Sequence, residues 1–215
     1  MLIVALTGGI ATGKSVAARV LEELGCYVHH TDKIAHELME PEKPAWREIV
    51  DHFGEEILNN DKTINRSKLG SIVYSDRKER LFLNKIVHPL VSEKRKEIIQ
   101  SLEKDGRYKI FVSEAALTIE AGFVQFFDRI VVVYCEKETQ IKRLMDRDQI
   151  SRSEALEKLK SQKDPEEKTK YADYIIDTSG TLQSTIEQAE RVYRNLILEY
   201  ELKYKKEKKQ NKYID

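Results

Sequence analysis

An apolar run that passes straight into a glycine-rich loop and then a helical pattern constrains this 215-residue chain more than any other stretch. Leu2-Ile3-Val4-Ala5-Leu6 is short and continuously apolar, which reads as a buried strand. Thr7-Gly8-Gly9-Ile10-Ala11-Thr12-Gly13-Lys14-Ser15 then fits G-x-x-x-x-G-K-[ST], with Gly8, Gly13, Lys14 and Ser15 at the fixed places. Val16, Ala17, Val20, Leu21 and Leu24 recur at helical spacing, and Gly25 is the stop. Strand, loop and helix together are the setting in which this motif grips phosphate. Glycines let the main chain turn so that its N–H groups converge on an anion at a positive helix end. The expected contacts to a nucleoside triphosphate involve Gly8, Gly9, Ala11, Thr12, Gly13, Lys14, Ser15, Val16 and Ala17. Lys14 is expected to reach the β- and γ-phosphates, and the Ser15 hydroxyl to ligate Mg²⁺.

Composition removes several other classes. Charged residues make up 34% of the chain but balance to a formal net charge of 0, so no global field favours nucleic acid or an anionic membrane. No apolar run approaches the ~20 residues of a membrane span. The opening residues are spent on the strand, so no signal peptide is expected. Cys26 and Cys135 lack CxxC spacing and read as two reduced thiols of a cytoplasmic protein. Nothing specifies an oligomeric state.

Further along, Tyr27–His30 reads as a second strand, ending at Thr31-Asp32. From Lys33 to about Asp105 the pattern is a series of short helices. One carries Ile34, Ala35, Leu38 and Met39, and the next carries Trp46, Ile49, Val50 and Phe53. Asn59-Asn60-Asp61 marks a turn before a helix with Leu69, Ile72 and Val73. Ser75-Asp76 signals the start of a helix with Leu83, Ile86 and Val87, and Pro89 is expected to open a separate one with Leu90, Ile98 and Leu102. Strands resume at Lys109–Val112, Ile130–Tyr134 and Tyr174–Ile176, separated by a charged helical stretch from Thr139 to about Lys163. A final helix carries Leu182, Ile186, Ala189, Tyr193 and Leu196. Strands alternating with helices predict an α/β fold in three layers: a parallel sheet of about five strands with a helical insertion.

Ligands of such sheets lie at the carboxyl ends of strands, where Ser15, Asp32 and Glu114 fall. Phosphoryl transfer to a hydroxyl needs a carboxylate near the acceptor and cations around the moving group. By spacing alone, Asp32 fits either that carboxylate or an N-cap for Lys33–Met39. Glu114 fits either a water-mediated Mg²⁺ ligand or a salt-bridged acid. Arg143 and Arg147 share a helical face, which suits either an arginine-bearing lid or a solvated surface with Asp146, Asp148 and Glu154 interleaved. His29, His30, Asp32 and His36 crowd together. However, His29 and His30 point to opposite sides of a strand, which disfavours a shared metal. Lys203–Lys212 reads as a solvated helix tail.

Up to about Arg194 the chain resembles dephospho-coenzyme A kinases. The resemblance rests on Leu6–Ile10 with the phosphate loop, Thr31–Ala35, Ile64-Asn65-Arg66 with Leu69, and Val87-His88-Pro89-Leu90. It extends through Glu114–Leu117, Gln140–Leu144, Ala172–Asp177 and Gly180. It implies ATP-dependent, Mg²⁺-assisted phosphorylation of the ribose 3′-hydroxyl of dephospho-CoA. It also implies a core at about 1–31, 106–141 and 164–200, a helical CoA lobe at 32–105, a lid at 142–163 and a basic tail at 201–215. By resemblance Asp32 is the base toward the 3′-hydroxyl. Arg66 and His88 lie on the acceptor side with Glu114, Arg143 and Arg147 belong to the lid, and Ser179 and Gly180 line the adenine. This chain has His30-Thr31-Asp32 where Asp-Ala-Asp is usual, His36 where an arginine is common, and Thr178 where an asparagine is frequent. Other readings are a different small-molecule or nucleotide kinase of the same fold, a GTP switch, for which the usual Asn-Lys-x-Asp run is missing, or a nucleic-acid-stimulated ATPase.

Overall fold

The computed structural model describes residues 1–211, and side chains through 204. In chain order the elements are β1 (Leu2–Thr7), α1 (Lys14–Glu23), β2 (Tyr27–His30), α2 (Thr31–Leu38), α3 (Pro44–Phe53), α4 (Arg66–Ser75), α5 (Arg77–Asp105), β3 (Ile110–Glu114), β4 (Arg129–Tyr134), α6 (Lys137–Asp148), α7 (Arg152–Lys160), α8 (Pro165–Thr169), β5 (Tyr174–Asp177) and α9 (Leu182–Asn211). Among the described residues no helix is long and apolar enough to cross a membrane. By internal packing the chain forms two compact units: Met1–His29 with the chain from Leu102 onward, and His30–Ser101.

The first unit is built on a sheet of five strands, the number the alternating pattern predicted, in the order β2-β3-β1-β4-β5. β1 runs parallel to both of its neighbours, with Leu2 opposite Ile110 and Leu6 opposite Glu114 on one side, and Val4 opposite Arg129 on the other. β4 runs parallel to β5. Successive side chains of a strand face opposite ways, and the core divides accordingly. Val4, Leu6, Val131 and Val133 pack with Ala17 and Leu21 of α1 and with Ala189, Val192 and Leu196 of α9. Ala5, Ile130 and Val132 face the other way and pack with Ile119, Val124 and Phe127. Helices and loop segments thus cover both faces, which is why these strands are apolar throughout rather than alternating.

The second unit is helical. Ala45, Ile49 and Phe53 of α3, Leu69 of α4, and Ile86, Val87 and Val91 of α5 share one core. The expectation of a helix break at Pro89 is corrected here, because α5 runs unbroken from Arg77 to Asp105 with Pro89 inside it. Proline removes one helical hydrogen bond, the one that would reach the Lys85 carbonyl. Pro89 and Lys85 both lie on the exposed face, where water can take that carbonyl, while Ile86, Val87 and Val91 keep the buried face continuous.

Two further expectations change. The charged stretch from Thr139 to Lys163 is not one helix. α6 ends with Gln149 in the left-handed region, at φ 54°, and Ser151 opens α7 with a reciprocal capping box to Glu154. The lysine-rich tail lies largely outside the residues whose side chains are described. Lys203, which is described, is partly solvated and also paired: its Nζ lies 2.9 Å from both carboxylate oxygens of Asp128, and Asp128 also accepts from the Ile3 N–H at 2.8 Å.

Candidate active site

The phosphate loop is fixed by contacts that leave no room for a side chain at Gly8 or Gly9. A Cβ on Gly8 would sit 2.3 Å from the Val133 carbonyl oxygen, so only glycine fits where the loop crosses the end of β4. Gly13, at φ 85°, turns the chain into α1 in a left-handed conformation. Ala11 also has a positive φ, 58°, which costs a non-glycine residue roughly 1–2 kcal/mol. Thr12 is buried, and its hydroxyl donates to the Gly9 carbonyl at 2.9 Å. Lys14 Nζ donates to the carbonyls of Gly8 and Gly9, each at 3.1 Å, so the ammonium lies over the loop it belongs to. Among the described residues no side chain caps α1 and no acid lies in its first turn. Its first N–H groups and positive end therefore suit an anion.

Glu114 ends β3 level with Leu6, the residue just before Thr7 and the loop, and the Ala115 N–H donates to the Leu6 carbonyl at 3.1 Å. The sheet thus brings Glu114 to the same strand ends as the phosphate loop. Ser15 is exposed in the first turn of α1. A hydroxyl and a carboxylate are hard oxygen donors, the kind that suits Mg²⁺ rather than a soft metal. The segment after Glu114 is propped from behind. Lys168, fully buried on α8, donates to the Ala116 carbonyl at 2.9 Å and pairs with Glu120 at 2.8 Å. Neither Lys168 nor Glu120 stands in a motif, and nothing in the sequence flagged them.

α6 carries Arg143 inward. Its guanidinium donates to the Thr178 hydroxyl at 2.9 Å and to the Thr178 carbonyl at 2.6 Å. The Thr178 hydroxyl in turn donates to the Thr12 carbonyl at 2.7 Å. Burial pushes the Cys135 thiol up, against the opposing pull of Arg143 and Thr178. Ser179 accepts from the Glu136 N–H at 3.1 Å, and its own N–H donates to Asp177 at 2.8 Å. Gly180 next to it is exposed. Arg147, one turn after Arg143, points outward and pairs with Asp148 at 2.8 Å. Arg147 and then Lys158, at 2.7 Å, hold the Asp148 carboxyl down to about 2.

In the helical unit, α2 begins at Thr31, two residues earlier than an Asp32 cap requires. His30 occupies the cap position, and Asp32 is exposed within the first turn, where a carboxylate complements the helix dipole. The capping alternative for Asp32 is thereby set aside. His36 is pushed below the ordinary histidine range by burial and then by Arg66, with Asp32 acting the other way. Arg66 opens α4, whose cap is Asn65: its side chain accepts from the Lys68 N–H at 3.0 Å. His36, Arg66, Met39, Ile64, Leu69 and Leu83 help line a cavity of about 280 Å³ in this unit. His88 is half-buried on α5, and burial lowers its pKa. His29 is buried against Phe111 while His30 is exposed, as strand alternation predicted.

Comparison with known proteins agrees with this arrangement. The family model "Dephospho-CoA kinase" matches residues 2–184. A dephospho-CoA kinase of Carboxydothermus hydrogenoformans is 44% identical over 186 residues, covering 86% of this chain and 90% of that protein. One from Halalkalibacterium halodurans is 41% identical over 187 residues, covering 87% and 92%. Among solved structures, a dephospho-CoA kinase from Campylobacter jejuni superposes with a TM-score of 0.65 at 31% identity, covering 90% of this chain and 96% of that one. With a phosphate loop, a parallel sheet and relatives of this extent, the chain belongs to the dephospho-CoA kinase family.

Proposed function

We propose that this protein transfers the γ-phosphoryl group of ATP to the ribose 3′-hydroxyl of dephospho-CoA, giving ADP and coenzyme A. The observation that supports this most is a complete phosphate loop at the strand ends beside Glu114, in a chain that matches the family from residue 2 to residue 184. The loop from Gly8 to Ser15, with Val16 and Ala17 behind it, cradles the triphosphate, and Lys14 moves from its own loop carbonyls to the phosphate oxygens. Ser179 and Gly180 line the adenine. Asp32 takes the proton of the 3′-hydroxyl as its oxygen attacks the γ-phosphorus and the bond to the β-phosphate oxygen breaks. Arg66, His88 and Glu114 hold the acceptor, with residues 32–105 as the CoA lobe. Mg²⁺, when bound, neutralises phosphate charge, and Ser15 directly and Glu114 through water are the residues that would hold it. Arg143 and Arg147 are the cations assigned to the moving phosphoryl group, with 142–163 as the lid. To serve there, Arg147 must leave Asp148 and Arg143 must leave Thr178. The buried thiols and the absence of a long apolar helix among the described residues are consistent with work in the cytoplasm.

The test is a coupled assay with ATP, Mg²⁺ and dephospho-CoA, with AMP, adenosine and pantothenate in parallel. Coenzyme A formed only from dephospho-CoA is the expected result. Turnover of another acceptor instead selects a different small-molecule kinase.

A further inference from the structure

Ile10 is held in the phosphate loop from two sides by glutamines far away in sequence. Gln140 Nε2, on α6, donates to the Ile10 carbonyl at 2.6 Å. The Ile10 N–H donates to Gln162 Oε1 at 2.9 Å, just past the end of α7. These two groups belong to successive peptide planes, 9–10 and 10–11. Because a peptide is planar and trans, a carbonyl held by Gln140 turns the Ala11 N–H to the opposite side. Gln140 therefore fixes the direction of an amide expected to face phosphate, at the step where Ala11 takes its left-handed φ.

The side chains tie the same pieces together. Ile10 and Ala11 pack against Ile141 and Leu144 of α6 and Ala155 of α7. Gln140 is 1% exposed and lies so close to Gly9 that a Cβ there would come within 2.4 Å of its Nε2. Its Oε1 is buried with no hydrogen-bond partner among the described residues. An unsatisfied buried acceptor is costly, and an apolar residue of the same length would avoid that cost. What the amide supplies instead is its donor to Ile10.

We propose that Gln140 and Gln162 are positioning residues for the phosphate loop. Together they fix the two peptide planes around Ile10 and so hold the loop in the conformation that directs the Ala11 N–H. The proposal rests on the loop being the nucleotide site, and ATP binding by the unaltered protein tests that reading separately. The experiment uses Gln162→Met, Gln140→Met and the double variant, each near the length of glutamine but without its polar atoms. ATP·Mg²⁺ affinity is measured by calorimetry without acceptor, and KM is measured for both substrates. Each single change is expected to weaken ATP binding about five- to thirtyfold, as loss of one such bond implies, and to leave the KM of dephospho-CoA within about twofold. Because the two bonds hold adjoining planes that meet at Ile10, the double variant is expected to lose less than the product of the singles. If Gln140→Met does not fold, Gln162→Met at its half-buried site carries the test through the KM split. Unchanged ATP affinity, an equal rise in both KM values, or fully multiplicative effects overturn the proposal.

Discussion

The hydroxyl of Thr178, at the exit of β5, donates to the carbonyl of Thr12 in the phosphate loop at 2.7 Å, across 166 residues of chain. It also receives Arg143, so one side chain joins the loop, the last strand and α6. Thr178→Ala leaves the Thr12 carbonyl without this donor and Arg143 without this acceptor. A loss of about 1–3 kcal/mol and a raised KM for ATP are expected, read by thermal melting and steady-state kinetics. Thr178→Ser keeps the hydroxyl and should restore both. Equal loss in the two variants would mean that packing of the methyl group, not the bond, matters.

Lys14→Ala and Asp32→Asn should each abolish turnover, for different reasons. Only the first should also lose ATP affinity, because Asp32 is assigned to the acceptor hydroxyl and Lys14 to the phosphates. Calorimetry with ATP alone separates them. Robust coenzyme A formation by Asp32→Asn removes Asp32 as the base.

The pair Lys168–Glu120 predicts a stability effect away from the nucleotide. Lys168→Met leaves the Glu120 carboxylate, only 18% exposed at its side chain, without its cation and with only the Lys163 N–H at 3.0 Å, and should cost about 3–5 kcal/mol in denaturant unfolding. Adding Glu120→Gln should recover much of that loss. If the double variant is no more stable than Lys168→Met, the ion pair is not what holds α8 to the segment after β3.

Asp148 gives a pH signature. Its carboxyl is held down to about 2 by Arg147 and Lys158, against about 3.9 in an unfolded chain. A depressed pKa means stability that is complete above the unfolded value and is lost as pH falls through the folded one. Melting curves of the protein and of Asp148→Asn should therefore differ by a constant amount above pH 5 and converge toward pH 2. A gap that persists unchanged to pH 2 contradicts the assignment.

Both cysteines are buried, and burial raises both thiols, Cys26 to about 12. A thiol reagent at pH 8 should therefore titrate almost nothing in the native protein and two groups after unfolding. Rapid native labelling of either one would show that its surroundings open.

Much of the sheet and the phosphate loop could be read in the chain because their signals are local. Leu2–Leu6 and Ile130–Tyr134 are continuous apolar runs, and the loop is a fixed string of residues. Pro89 misled because a proline ends a helix only where its lost bond cannot be met, and exposure is not visible in sequence. The break at Gln149 was missed because the left-handed turn falls on a polar residue inside a charged run, although the Ser151–Glu154 box was there to be read. Gln162, Lys168 and Glu120 gave no signal at all. Their partners lie 43 to 152 residues away, and a polar residue paired across the fold has no period. Thr178 was noticed only as a departure from a familiar pattern, and its bond to Thr12 gives it a place in the site.

The order β2-β3-β1-β4-β5 also governs how the chain must be born. β1, which precedes the other four strands in the chain, is the middle one, and both of its neighbours come later, at Ile110–Glu114 and Arg129–Tyr134. Until about residue 114 has emerged, the nascent strand that leads into the nucleotide loop has neither edge covered, and one edge stays open until about residue 134. Such late, long-range pairing is slow and exposes apolar surface meanwhile, so the helical segment 30–101 is free to condense first while the sheet waits for its last strands.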